Sequence, residues 1–251
     1  MSWSDYAAVL FDLDGVVTPT AEVHMRAWAE MFNAFLTEYA GQHPDNDADP
    51  SPYTDADYFA HVDGKPRYDG VRDFLTARGI SLPEGDGSDE SEPTVRGLGD
   101  RKNDAFNHVL DRDGVTAYPG SVALLDHLRD LGTPLAVVSS SANAPAVLDA
   151  AGLADRFATV VDGMVAGELG LAGKPAPDTF LHAAEILGAT AATSVVLEDA
   201  VSGVRAGRAG DFGLVVGVDR GAGVATLTDA GADVVVSDLA DTLPDQNESG
   251  S

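Results

Sequence analysis

Residues 7–15 read "AAVLFDLDG": five apolar residues, two carboxylates separated by one leucine, then a glycine. An apolar run without alternation suits a strand covered on both faces, as in a parallel sheet. Five further runs share this character: "PLAVVS" (134–139), "ATVVDG" (158–163), "TSVVLEDA" (193–200), "GLVVGVD" (213–219) and "ADVVVSD" (232–238). Between them, "SVALLDHLRDLG" (121–132), "NAPAVLDAAGL" (143–153), "PDTFLHAAEILG" (177–188) and "VSGVRAGRAG" (201–210) space apolar residues at three and four, as amphipathic helices do. Glycine follows several of these segments, in the manner of a C-terminal cap. Strand–helix alternation predicts an α/β fold built on a doubly wound parallel sheet.

Residues 20–116 break that rhythm. Helical patterns cover 22–40, 71–79 and 100–114, with no strong strand between them. The expected organisation is therefore an α/β core from residues 1–19 and 117–246, with an inserted α-helical cap domain at 20–116. The cap is expected to sit over the carboxyl ends of the strands, where ligands bind in open α/β sheets. Its connections, Thr18–Thr20 and Thr116–Pro119, contain proline and are the expected hinges. Two polar, acidic, proline-bearing stretches, 41–52 and 82–93, are expected to be mobile loops, and the tail 247–251 to be disordered.

Composition narrows the classes of function. At 251 residues and 44% hydrophobic content the chain can bury a substantial core. It has no cysteine, which excludes disulfides, thiolate metal sites and a cysteine nucleophile. Forty-one acidic against 15 basic side chains give a net charge of −26, a field that disfavours nucleic acid and anionic membranes as partners. No run approaches the length of a membrane span and no basic leader precedes an apolar stretch, so a cytoplasmic protein, as a monomer, is expected. Lysine occurs only at 65, 102 and 174, so any anion site must gather its cations deliberately.

Side chains two apart on an extended segment point the same way, so Asp12 and Asp14 are expected to converge at the end of the first strand. Alone, this pattern fits either a turn satisfied by backbone donors or a functional pair. A calcium loop is excluded, because "GVVTPTAEV" supplies too few further oxygen ligands. A second strand ends in Glu198 and Asp199 at the same sheet edge. Carboxylates gathered there suit a hard divalent cation, Mg²⁺ first, because it pairs carboxylates with phosphate oxygens. "PLAVVSSSAN" ends a third strand in hydroxyls before a helix, so Ser139 and its neighbouring amides can hold an anion. "AGKPAPD" sets Lys174 in a stiff loop before another helix; Glu168 and Pro175 occupy positions that rule out a Walker motif.

"FDLDGV", "VVSSS", "GKPAPD" and "VLEDAVSG", in that order, resemble the four motifs of the haloacid dehalogenase superfamily of phosphotransferases. The resemblance implies a Rossmann-like core, an aspartyl-phosphate on Asp12, and Asp14 as general acid/base. It further implies Mg²⁺ held by Asp12, the main-chain oxygen of Asp14 and Asp199 with Glu198 close by, and a phosphoryl group bound by Ser139 and Lys174. Within residues 20–116, "TPTAEVHMRAW", "DGKPRYDGV" and "DRKNDAF" resemble cap segments of the β-phosphoglucomutase family. That likeness points to His24, Arg67 and Lys102, the last flanked by Arg101 and Asn103, as substrate-binding residues. "SSSANAP" adds Ser140, Ser141 and Asn143, while Ala142 stands where that family commonly has lysine. The implied activity is conversion of β-glucose 1-phosphate to glucose 6-phosphate, or hydrolysis of a small phosphorylated sugar. A receiver-type signalling domain uses similar acids, but the large insertion and the adjacent Asp14 speak against it.

Overall fold

β1 (Ala8–Phe11), β2 (Leu135–Val138), β3 (Thr159–Val161), β4 (Ser194–Glu198), β5 (Leu214–Val218) and β6 (Val234–Val236) form one sheet. The structure, a computed structural model, describes residues 1–44, 48–86 and 93–244. Among these the strand order is β3-β2-β1-β4-β5-β6, and every neighbouring pair is parallel. Each strand lies inside an apolar run expected from the sequence, and those runs overshoot because the pattern continues into the flanking turns. Every residue of β1, β2 and β4 is buried, which is why they read as unbroken apolar runs.

The order places the site. From β1 the chain moves outward to β2 and β3, then returns on the other flank of β1 as β4. Such a reversal opens a crevice at the carboxyl ends of the two strands on either side of it. Phe11 pairs with Leu197, and the Asp12 amide donates to the Leu197 carbonyl at 2.9 Å. Asp12 and Glu198 therefore leave the sheet side by side.

The helical segments are α1 (Thr20–Gln42), α2 (Asp55–Asp57), α3 (Arg67–Ala77), α4 (Val95–Asp113), α5 (Pro119–Leu131), α6 (Ala144–Ala150), α7 (Gly163–Leu169), α8 (Asp178–Ile186), α9 (Val201–Ala209) and α10 (Val224–Ala230). A π-helical turn, Tyr58–Val62, continues α2. The short helices α2, α7 and α10 were not anticipated, because a few residues carry little periodicity and such helices depend on docking and caps. Asp162 caps α7 through Met164 and Val165. α4 begins at Val95, five residues ahead of the expected start, with Thr94 capping the Gly97 amide at 3.0 Å. Gly97 and Gly99 hide that first turn from a propensity reading. Gly99 permits close packing on α3, since a Cβ there falls 2.7 Å from the Tyr68 ring.

The chain divides into two compact units: Met1–Pro19 with the described residues from Val115 on, and Thr20–Gly114. The first buries Leu10, Val138, Phe180, Val196, Val204 and Val215 around the sheet. The second packs Trp28, Phe32, Phe35, Tyr53, Phe74 and Leu98, with the Phe32 and Phe74 rings 4.1 Å apart. No helix among the described residues is long and apolar enough to cross a membrane. Of the two acidic stretches, residues 45–47 and 87–92 lie outside the described residues, as does the tail 247–251. The described part of the first stretch is tied down rather than loose. Buried Arg78 donates to Asp49 at 3.0 Å, to the Ser51 carbonyl at 2.9 Å and to Asp57 at 2.8 Å.

Partial burial pushes the Asp57 carboxyl up, but hydrogen bonds from Thr54 and Arg78 outweigh it and hold its pKa below the ordinary range. A depressed folded-state pKa contributes stability above the unfolded value that is lost as pH falls through the folded one. Arg78→Met, which leaves the Asp57 carboxylate with only its Thr54 donors, is expected to destabilise the protein by about 2 kcal/mol at neutral pH. Urea unfolding should show that difference shrinking below about pH 4; a pH-independent difference contradicts the assignment.

Candidate active site

Three strand ends converge on one ammonium group. Lys174, in the loop between α7 and α8, donates to Asp12 Oδ1 at 2.5 Å, to Glu198 Oε1 at 2.6 Å and to the Val138 carbonyl at 2.9 Å. Its acceptors stand at the ends of β1, β4 and β2, and its three N–H donors are all used. Desolvating an ammonium costs several kcal/mol, offset here only because two carboxylates meet it directly. Two of the chain's three lysines, Lys102 and Lys174, are each 3% exposed. A protein of net charge −26 thus buries its scarce ammonium groups rather than spreading them over an acidic surface.

Electrostatics at the site are unbalanced. Burial pulls the Lys174 pKa down, but Asp12 and Glu198 outweigh it and hold the group above the usual lysine range, so it is a fixed cation. Burial pushes Asp12 well above the usual carboxylate range; Lys174 opposes that, and Glu198 and Asp14 add to it. Carboxylate oxygens of Asp12, Glu198 and Asp199 lie within 4.8 Å of one another. Three carboxyl groups face one ammonium, more acid than that cation balances, and every donor is a hard oxygen. The arrangement fits a hard divalent cation, which would also favour the ionised form of Asp12.

Asp14 follows Asp12 through a turn and not along a continued strand. β1 stops at Phe11, and the Leu13 carbonyl accepts from the Val17 and Thr18 amides, so residues 13–18 form a tight turn and not a continued strand. Strand alternation therefore does not apply; the turn brings Asp14 close enough to act on the charge of Asp12. The glycine after the acids has a steric reason. Gly15 has φ +86°, and a Cβ there falls 1.9 Å from Asp199 Oδ2, so the turn and the end of β4 approach through this position. Gly203 does the same for Glu198: its missing Cβ makes room for the carboxylate over the first turn of α9, where the Ala200 amide donates to Oε2 at 2.9 Å.

The serine loop lies beside Lys174 through Val138. Ser139 is buried; its amide donates to the Val161 carbonyl at 3.0 Å and its Oγ accepts from the Ser141 amide at 3.1 Å. Ser141 Oγ in turn accepts from the Asn143 amide at 3.2 Å, just ahead of α6. Ser140, Ser141 and Asn143 are half-buried. A Cβ on Gly163 falls 2.7 Å from the Ser140 carbonyl, so the start of α7 braces this loop.

Within the helical unit the expected residues form two groups. His24 and Lys102 are both buried and in contact, Nδ1 against Nζ. His24 stacks on Phe106 with ring centroids 4.0 Å apart, and Lys102 Nζ lies 5.2 Å from the Trp28 centroid and 5.1 Å from that of Phe106. Arg67 belongs to a separate group, 3.4 Å from Asp100 Oδ1, which also accepts from the Tyr68 hydroxyl at 2.8 Å. Arg101 is exposed and Asn103 half-buried. The aromatic box that Trp28 and Phe106 form around Lys102 carries no sequence signal, because it brings together residues from α1 and α4 that are far apart in the chain.

Gly→Ala inside a helix ordinarily stabilises by about 1 kcal/mol. At Gly203 the added Cβ falls 1.6 Å from Glu198 Oε1, so Gly203→Ala is expected to destabilise by about 2 kcal/mol as the carboxylate is driven from its place. An unchanged or raised urea midpoint contradicts this packing.

A family profile described as haloacid dehalogenase-like hydrolase matches residues 6–211, a span that includes the acid turn, the serine loop, Lys174 and the end of β4. The chain is 50% identical over 241 residues to a β-phosphoglucomutase of Mycobacterium bovis, covering 94% of this chain and 91% of that protein. It is 29% identical over 202 residues to hexitol phosphatase A of Escherichia coli, covering 80% and 77%. In fold it matches the crystal structure of a β-phosphoglucomutase from Clostridium difficile, with a TM-score of 0.73 at 24% identity over 95% of this chain and 93% of that one. The chain belongs to the haloacid dehalogenase-like hydrolase family, in its β-phosphoglucomutase-like branch, and is an enzyme of the phosphotransferase and phosphatase class.

Proposed function

We propose that the protein is a Mg²⁺-dependent phosphotransferase of carbohydrate metabolism, acting on a small phosphorylated sugar through an aspartyl-phosphate on Asp12. Its best-supported reaction is the conversion of β-glucose 1-phosphate to glucose 6-phosphate. The observation that carries this reading is the buried Lys174 joining Asp12 to Glu198, an arrangement for holding a carboxylate nucleophile beside a fixed cation. The 50% identity to a β-phosphoglucomutase supports the choice of reaction.

In this reading an Asp12 oxygen attacks phosphorus while the bond to the ester oxygen breaks, and Asp14 delivers a proton to that leaving oxygen. Asp14, now a carboxylate, takes the proton of the incoming hydroxyl as that oxygen attacks phosphorus and the bond to Asp12 breaks. Ser139 and Lys174 bind the phosphoryl oxygens, Lys174 by exchanging one of its present acceptors for the phosphoryl group, so that the spread charge is met by a hydroxyl and a cation. Asp12, the Asp14 carbonyl and Asp199, with Glu198 alongside, would hold Mg²⁺, which when bound would supply the charge neutralisation an anionic nucleophile needs to approach an anionic phosphate. Ser140, Ser141 and Asn143 of the sheet unit, and His24, Arg67 and Lys102 of the cap, serve substrate binding. The proposal includes a monomeric, cytoplasmic enzyme.

The similarity to hexitol phosphatase A supports a second reading, in which water is the final acceptor. Incubation with β-glucose 1-phosphate, Mg²⁺ and a trace of the 1,6-bisphosphate separates the two. The mutase reading predicts glucose 6-phosphate without stoichiometric free phosphate; free phosphate alone contradicts it. Arg67→Ala and Lys102→Ala are each expected to lower isomerisation by about 100-fold, and to affect hydrolysis of an aryl phosphate much less. Equal losses in both assays contradict a substrate-specific role for these residues.

A further inference from the structure

The turn that carries Asp12 and Asp14 is held by a residue outside all four motifs. Arg220 lies just beyond β5, and its Nε donates to the Gly15 carbonyl at 2.8 Å. Nη1 donates to the Ser237 carbonyl at 3.0 Å, and the guanidinium carbon lies 3.9 Å from the centroid of the Tyr118 ring. Two neighbours complete the clamp: Ser121 Oγ donates to the Val16 carbonyl at 2.6 Å and the Tyr118 amide to the Val17 carbonyl at 3.0 Å. Three successive carbonyls of the acid turn are thus taken by donors from elsewhere in the same unit.

Gly15 is where this matters most. A glycine at φ +86° has more freedom than any other residue could have there, and only its bonds fix it. Its amide donates to the Thr18 carbonyl at 2.7 Å and its carbonyl is held by Arg220. The Gly15 amide and the Asp14 carbonyl share one planar peptide group, so fixing Gly15 on both sides fixes the direction of that carbonyl. Arg220 also carries a cost. Its Nη2 is buried with no hydrogen-bond partner among the described residues, and an orphaned donor costs roughly 1–3 kcal/mol. A role in stability alone is poorly served by that placement.

We propose that Arg220 is a positioning residue for phosphoryl transfer: by fixing the Gly15 peptide it presets the Asp14 carbonyl for the divalent cation and the Asp14 carboxyl for proton transfer. The inference rests on the phosphotransfer reading above. Arg220→Lys tests it, because lysine keeps the charge but loses the two-point planar donor and the stacking on Tyr118. Calorimetric titration with Mg²⁺ should show affinity weakened about tenfold, and aryl phosphate hydrolysis should lose about tenfold in kcat with KM changed much less. Mg²⁺ affinity and kcat that both stay within about twofold of wild type, whatever the shift in unfolding midpoint, overturn the proposal. Should the lysine variant not fold, Arg220→Gln removes the guanidinium and with it the Nε bond to the Gly15 carbonyl. A fall in Mg²⁺ affinity and kcat with near-constant KM supports the proposal there, and unchanged values overturn it. A wild-type protein that neither binds Mg²⁺ nor turns over a phosphate ester overturns the phosphotransfer reading and this inference with it. Activity in wild type with an unaltered variant overturns the inference alone.

Discussion

One buried ammonium organises the sheet unit. Lys174 takes its acceptors from the ends of three adjacent strands, so the ion pair with Asp12 and Glu198 and the bond to Val138 depend on the register of β2, β1 and β4. None of these charges tolerates burial alone: an isolated carboxylate there takes up a proton, and an isolated lysine loses one. Held together, the carboxylates and the ammonium offset part of one another's burial cost out of water, where electrostatic work on a phosphoryl group is largest. The same cluster is deliberately incomplete, since its carboxylates outnumber its ammonium and leave room for a divalent cation.

The supporting residues are chosen for what they lack. Gly15 and Gly203 allow Asp199 and Glu198 to approach at distances no Cβ permits. Around them the turn 13–18 is closed by its own backbone and clamped from outside by Arg220, Ser121 and Tyr118. An acid turn set in this way loses little freedom on meeting a ligand, which is the structural form of preorganisation.

Much of this was legible in the sequence, and what was hidden has common physical causes. The sheet could be read because strands buried on both faces write themselves as unbroken apolar runs, and acids at the ends of two such runs must share an edge. Strand alternation, from which Asp12 and Asp14 are expected to converge, does not extend past Leu13, where the chain turns. α7 and α10, unlike the equally short α6, show too few apolar residues at helical spacing to stand out. Contacts between distant residues were invisible: His24 meets Lys102 across 78 positions, and Gly15 meets Arg220 across 205. Arg220 carried one faint signal, a cation directly beyond a strand at the ligand edge of a chain poor in cations.

In the proposed mechanism Asp12, held by Lys174, accepts the phosphoryl group covalently. Acid-quenching the enzyme during turnover of a phosphate donor with Mg²⁺, then mapping the phosphate by mass spectrometry of the digested protein, tests it directly. The account predicts phosphate on the peptide containing Asp12, absent from Asp12→Asn along with turnover. Turnover at the wild-type rate in Asp12→Asn, or phosphate trapped only at another residue, contradicts it.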